Sequence, residues 1–438
     1  MSSRTILVWF RNDLRVSDNE ILLEATRKAD QVLPVYCFDP YYFQVTPAGN
    51  YKTGNIRAAF LLNAVADLRN NLRRLGSDLI IRVGNPAEII PQLAEEYHVN
   101  EVYHHREVSF EETAVSEALE AALWKIKLNL KHFIGHTLYH KEDLPFPIKD
   151  IPDSFATFKK KVERDSAVRP VVQMPDFIST PRITDAGELP TIEQLGLEEP
   201  VIDPRSGFVF VGGETAGLLQ LKQHFESHQL LNLGKTARAM GQHGYGSRLS
   251  PWLALGCVSL RQVYWEAIGH EQGHHGANPI ILELLWRDYF RFMFKKHGSQ
   301  FFNAAGFKGE APEVADNQDE LFEKWKNGQT GVPFIDASMA ELKATGFVSN
   351  HSRQQLAAYL VRELKVDWTR GAALFEERLI DYSPASNWGN WTFIAGVGTD
   401  QRENKYFNLK PVLDYDAQYI ETWLSSPVSN SSLQGASI

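Results

Sequence analysis

Three tryptophans near the end of the chain stand among amides and glycines rather than in apolar runs. They are Trp368 in "KVDWTRG" and Trp388 and Trp391 in "SNWGNW". Indole is among the easiest side chains to oxidise, so such rings can relay electrons as well as fill a core. Upstream, "YGSRLSP" places the Ser247 and Ser250 hydroxyls around Arg248 and Leu249, with Pro251 where a helix would begin. The free N–H groups of that helix start suit an anion such as a pyrophosphate, and a plain helix cap is the alternative. Residues 270–274 read H-E-Q-G-H, the spacing of a zinc protease. That chemistry needs both histidines on one face of a stable helix and a third ligand. The surrounding "IGHEQGHHGANP" has the glycines and proline of a loop, so no metal site is expected. "GVG" at 396–398 and "VGGETAG" at 211–217 are too short for a dinucleotide fingerprint.

The chain that must position these groups has 438 residues, 43% hydrophobic and 23% charged, enough for two or three globular domains. Net charge is -9, which argues against indiscriminate nucleic-acid binding but not against a local basic groove. Cys37 and Cys257 lie in apolar runs and read as buried thiols in a reducing compartment. No apolar run reaches membrane-span length, and "MSSRTILVWF" enters a strand almost at once. A cytoplasmic protein with no membrane partner is expected.

The first third alternates short apolar runs with helical patterns. Strands are predicted at 6–10, 32–38, 79–84 and 101–106, with a weaker fifth at 130–139; helices are predicted at 18–29, 55–75, 86–97 and 111–126. Ile56, Phe60, Val65, Leu68 and Leu72 recur at helical spacing, and Gly76 closes that helix. The pattern predicts βαβ units, hence an α/β domain (1–140) with a doubly wound parallel sheet that binds ligands at the strands' carboxyl ends. Residues 141–210 are proline-punctuated and read as a connector packed over the domain surfaces. From 211 to 424 the pattern is helical, including 279–298 and 351–368, so the second domain is all-α; 425–438 is a polar tail.

Together these stretches resemble the photolyase/cryptochrome flavoproteins, most closely the cryptochrome-DASH branch. "VWFRNDLRVSDNEIL", "DLPFPIKDIPDSFATFKKKVE", "VGGETAGLLQL", "SRLSPWLALGCVS", "ELLWRDYFRF", "ELKATGFVSNHSRQ" and "SNWGNWTFIAGVGTDQRENKYFN" follow that family's order over nearly the whole chain. The resemblance implies FAD in the helical domain. Ser247, Arg248, Leu249, Ser250, Arg287 and Asn350 match cofactor-contacting positions. Arg353 and Asp381 match a charge pair beside the flavin ring, and Asn387 matches the amide facing its N5. Ser383 stands where an acidic residue is usual. Trp391 and Trp368 match the inner and middle members of a tryptophan relay, and Trp388 reads as structural. Ala315 occupies the place of the outer tryptophan, so the relay is truncated or leaves through Trp325, Tyr359 or Tyr382.

The resemblance also implies a substrate, the cyclobutane pyrimidine dimer, favoured in single-stranded DNA by DASH members. Photolyases are among the enzymes known to take their target out of the base stack. Glu283 matches the carboxylate that hydrogen-bonds the dimer; Trp286, one turn on, offers a stacking surface, and Asn350 suits a base edge. Two positions depart from the pattern. Phe393 replaces a tryptophan or tyrosine, and His351 replaces an arginine that would grip phosphate. Glu107 matches a glutamate that holds a methenyltetrahydrofolate antenna in some members; a solvated helix-cap glutamate is the alternative. The reading is a monomeric DASH-type photolyase, with a blue-light receptor signalling to a partner as the second choice.

Overall fold

The structure is a computed structural model that describes residues 3–47, 49–226, 246–270, 279–307, 309–398 and 414–425. Five strands form one parallel sheet: β1 (Thr5–Phe10), β2 (Gln31–Phe38), β3 (Ile80–Val83), β4 (Glu101–His105) and β5 (Leu130–Phe133). The order is β3-β2-β1-β4-β5, so the chain reverses direction across the sheet between β1 and β4. Helices α1 (Glu20–Lys28), α2 (Asn55–Arg74), α3 (Pro86–Glu96) and α4 (Phe110–Lys125) connect the strands. Each strand residue faces the side opposite its neighbour's, and β1 shows what that does. Ile6, Val8 and Phe10 join a core continuous with the helical half, while Leu7 and Trp9 join a second core under α3 and α4. Covering both faces explains why β1 is apolar throughout.

The fifth strand is shorter than its pattern suggested. It stops at Phe133 because the following backbone finds another partner: the N–H groups of Leu138 and Tyr139 donate to the buried Asp288 carboxylate at 2.8 and 2.9 Å. The connector carries one helix, α5 (Phe155–Asp165), which buries Phe155, Phe158 and Val162. Further along, Ser179 and Ala186 carbonyls accept from Val32 and Ile81, fastening the connector to the sheet edge.

The helical half contains α6 (Glu214–Glu226), α7 (Ser250–Ala254), α8 (Leu260–His270), α9 (Pro279–His297), α10 (Gln318–Lys326), α11 (Pro333–Thr345), α12 (Asn350–Ala358), α13 (Trp368–Arg378), α14 (Pro384–Ile394) and α15 (Asp414–Leu424). The single helix expected over 351–368 is two. After α12 comes a π-helical turn, Tyr359–Glu363, then Lys365 at positive φ; Asp367 then caps α13 by accepting from the Thr369 N–H. Trp368 therefore opens a helix rather than closing one. Of the H-E-Q-G-H stretch, His270 ends α8 and 271–274 lie outside the described residues, as does the tail from 426. Among the described residues there is no cluster of three metal-binding side chains and no helix long and apolar enough to cross a membrane. Cys37 and Cys257 are free and buried.

The segment after β1 locks the halves together. Leu14 donates to the Leu255 carbonyl, Arg15 reaches the Gly256 carbonyl at 2.9 Å, and Glu214 accepts from the backbone of Val16 and Ser17. Gly256 has φ +63, and a Cβ there would stand 2.0 Å from the Asn12 carbonyl, so only glycine lets the chains approach.

His104, on β4, is fully buried against Trp9, with its Nε2 2.7 Å from His132 Nδ1. Burial first, and then Arg11, push its pKa down to about 2. The unfolded chain takes up this proton near pH 6.5 and the fold does not, so this ring's contribution to stability falls as pH drops below 6.5. The expected slope is about 1.4 kcal/mol per pH unit for this one ring. Urea melts at pH 7 and pH 5 measure it, and His104→Leu should flatten the slope.

Candidate active site

One cleft of about 500 Å³, continuous with solvent, opens between α12, α13 and α14. Its walls bring together six residues singled out in the sequence: Asn350, Arg353, Asp381, Ser383, Asn387 and Trp391. Arg353 Nη2 donates to Asp381 Oδ2 at 2.8 Å, and its Nε holds the Val348 carbonyl. The other Asp381 oxygen is buried without a partner. A buried acceptor left open in this way invites a donor from a ligand. Asn387 donates its amide to the Ala372 carbonyl at 3.0 Å, which turns its oxygen away from that contact. Ser383 is the N-cap of α14, yet its side chain does not cap it, so the hydroxyl is spared for the cleft.

Residues that sequence reasoning passed over, Gln354, Ser386 and Asn390, share these walls, as does Tyr382, which the sequence suggested only as a relay exit. The signal was available. Ser383, Ser386, Asn387, Asn390 and Ile394 follow helical spacing, so a polar stripe of α14 faces the cleft. Tyr382 rests on the Arg57 guanidinium, 4.7 Å from the ring centre, an inter-half contact that no local pattern announces.

Two glycines let the cleft close. A Cβ on Gly371 would stand 2.3 Å from the Trp391 ring, and one on Gly389 would stand 2.4 Å from Phe290 on α9. Gly389→Ala should therefore push α14 from α9 and cost roughly 1–3 kcal/mol, read as a lower thermal midpoint.

The indoles are packed in two pairs. Trp391 meets Trp325 at 6.4 Å and Phe375 at 5.1 Å. Trp368 meets Trp388 at 5.8 Å and donates to the Ala304 carbonyl. Trp325 is fully buried, which removes it as a solvent exit, and Tyr359 is nearly so. Ala315 is tied to the Lys365 carbonyl, three residues before Trp368, so the absent outer ring leaves its gap beside the middle one.

Other expected site residues lie outside this cleft. Glu283 is solvent-accessible on α9, yet burial by surrounding protein raises its carboxyl and Arg353 only partly offsets this. Both are true of a side chain in a concave wall. Trp286 is half-buried, and Phe155 of the connector stacks on it at 3.6 Å and 10°. One ring face at most is left to serve as the stacking surface expected from sequence. Phe393 meets its edge at 6.0 Å. Arg287 donates to the His136 and Leu253 carbonyls, and burial, then Arg291, push its pKa down to about 10. It braces the end of α7. At the start of α7, Leu249 is the N-cap and no side chain caps the helix. Ser247 accepts from the Leu249 N–H, and Arg248, at φ +53, lies over Phe208. His351 packs against Phe334.

Glu107 is neither solvated nor presented to a ligand. It is 1% exposed, and Arg291 at 2.8 Å, Asn12 at 3.0 Å and His136 at 3.3 Å surround its oxygens. Burial pushes its carboxyl up, but His136, Arg291 and Arg11 together hold it well below the usual range. Burial and then Glu107 raise its neighbour Glu112 to about 8. These contacts do not fit a folate held by Glu107.

Comparison with known proteins agrees with this geometry. Residues 6–176 match the DNA photolyase family model, and residues 280–430 match the FAD binding domain of DNA photolyase. The chain is 46% identical over 432 residues to a cryptochrome DASH of Gloeobacter violaceus, covering 97% of this chain and 86% of the relative. It is 43% identical to the cryptochrome DASH of Xenopus laevis, covering 96% and 83%. The crystal structure of Synechocystis sp. PCC6803 cryptochrome superposes with a TM-score of 0.89 at 40% identity, covering 97% and 89%. A Sulfolobus tokodaii photolyase described with two FAD molecules superposes at 0.78 with 26% identity, covering 96% and 90%.

Proposed function

The chain belongs to the photolyase/cryptochrome family and carries its FAD-binding domain, and from that premise we propose that it is a DASH-type photolyase. It would split cyclobutane pyrimidine dimers, preferentially in single-stranded DNA. The observation that carries this reading is the polar cleft, with the Arg353–Asp381 pair, the Asn387 amide and the Trp391 indole on one set of walls. A bound flavin supplies a light-driven one-electron donor and acceptor. The chain's own residues set its surroundings. Arg353 places a fixed cation where negative charge would develop on a reduced ring. The open Asp381 oxygen would accept a donor from the bound group, and Asn387 could donate or accept as that group's protonation changes. Arg248 and the uncapped start of α7 suit the pyrophosphate.

For the substrate, Glu283 is the proton-holding group. Its raised carboxyl keeps a proton more readily than a free glutamate, so it can donate to a pyrimidine carbonyl. Trp286 lies one turn along α9 from Glu283 with the Phe393 ring at its edge, and Asn350, on the cleft wall, can read a base edge. Extrusion of the dimer costs least from a single strand.

The test is illumination of the reduced holoprotein with an oligonucleotide bearing one thymine dimer, following recovery of pyrimidine absorbance. Glu283→Gln is expected to keep its flavin and lose up to roughly tenfold in repair, the worth of one neutral hydrogen bond of about 0.5–1.5 kcal/mol. A wild-type protein that binds flavin and repairs neither single nor double strands favours the receptor reading. The Phe393, His351 and Ala315 departures also point that way.

A further inference from the structure

We propose that Trp388 supplies the outer relay position that Ala315 leaves empty, and that its Nε1 proton leaves through Tyr382 to Glu376. The inference rests on the flavin reading above. Four indoles make up the two ring pairs, of which Trp391 lines the cleft, and their exposures separate them: 0% for Trp325, 1% for Trp368, 2% for Trp391 and 8% for Trp388. Trp388 is the least buried, and its ring centre is 5.8 Å from that of Trp368. Its Nε1 donates to a hydroxyl, whereas those of Trp368 and Trp325 donate to the Ala304 and Leu356 carbonyls, so it is the ring that can shed a proton along its hydrogen bond and hold the vacancy.

An oxidised indole is a strong acid, and the vacancy stays on it only if the proton departs. Trp388 Nε1 donates to the Tyr382 hydroxyl at 3.2 Å. That hydroxyl faces the Glu376 carboxylate, which Lys52 holds at 3.2 Å. Arg57 over the Tyr382 ring disfavours a positive charge on the phenol and so directs the proton onward. The step balances. One electron moves from Trp388 to Trp368, from Trp368 to Trp391 and from Trp391 to the light-excited oxidised flavin. One proton moves from Trp388 Nε1 to Tyr382 as the Tyr382 hydroxyl proton moves to Glu376. A neutral indolyl radical remains, and an external thiol returns a hydrogen atom to it while Glu376 releases its proton to water.

The experiment is electron paramagnetic resonance of the illuminated, flavin-loaded protein, with tryptophan deuterated on the indole. Wild type is expected to show a long-lived neutral tryptophanyl radical whose splitting narrows on deuteration. Trp388→Phe keeps the packing of a flat ring and should retain flavin but lose this radical. Adding Ala315→Trp to that variant should restore it, which a merely structural role for Trp388 does not predict. An unchanged radical in Trp388→Phe overturns the proposal. If Trp388→Phe does not fold, Glu376→Gln decides: a shortened radical lifetime supports the route, and an unchanged one overturns it. A wild-type protein purified without flavin sinks the earlier reading instead, so the two failures are distinct.

Discussion

Arg353→Met should purify without flavin and unfold with a free energy lower by about 3 kcal/mol or more. The reasoning starts from Asp381, whose side chain is 2% exposed and whose single protein partner across the cleft is the Arg353 guanidinium at 2.8 Å. Methionine matches the length of the arginine stem but leaves a buried carboxylate unpaired. The Val348 carbonyl loses its donor in the same step. Both losses fall on the cleft wall, so flavin content and thermal midpoint should drop together. Arg353→Lys keeps the charge without the planar fork and should fall between. Visible absorption after purification and a thermal melt read the two effects. A yellow variant of wild-type stability would show that this pair neither holds the ring nor supports the fold.

Arg291→Met is expected to be as costly, about 3–5 kcal/mol at pH 7.5, and less costly at pH 5.5. Arg291 and Glu107 are 6% and 1% exposed, so the pair is dry. Burial, with Arg291 adding to it, holds His136 well below 6.5, while Glu107 pulls it up. With Arg291 gone, His136 is the nearest group able to neutralise Glu107, and its folded pKa should rise. A histidine whose pKa is raised on folding stabilises below the unfolded value near 6.5 and loses that benefit as pH climbs through the folded value. The variant's deficit relative to wild type should therefore be smaller at pH 5.5 than at 7.5. Urea melts at the two pH values decide it; parallel shifts in both proteins would refute the assignment.

Much of this molecule was legible because local chemistry and tertiary placement agree. Strand β1 announces itself as an apolar run, and the sheet class follows from alternation with α1 to α4. Gly76, at φ +85, ends α2 where the sequence placed the stop. The cleft residues of α14 sit on one helical face. What could not be read depends on contacts distant in the chain. The stop of β5 at Phe133 is set by Asp288, about 150 residues away. The break before Trp368 depends on Asp367 and Lys365, which a periodicity count runs over. Nothing near Glu107 reveals that Arg291 will claim its carboxylate, and nothing near Trp286 reveals that Phe155 will cover one of its faces.

Helix α9 carries Glu283 and Trp286 at one end. Further along, Arg287, Asp288 and Arg291 all reach across to segments after β4 and β5. This has a practical meaning for anyone wishing to dissect the chain. Expressed alone, the C-terminal piece would expose three ionisable groups shaped for partners it no longer has, and the N-terminal piece would keep a carboxylate that has lost its arginine. Light capture and whatever it drives are thus housed in a single indivisible unit, and swapping either piece with a relative's should succeed only when both sides of this helix travel together.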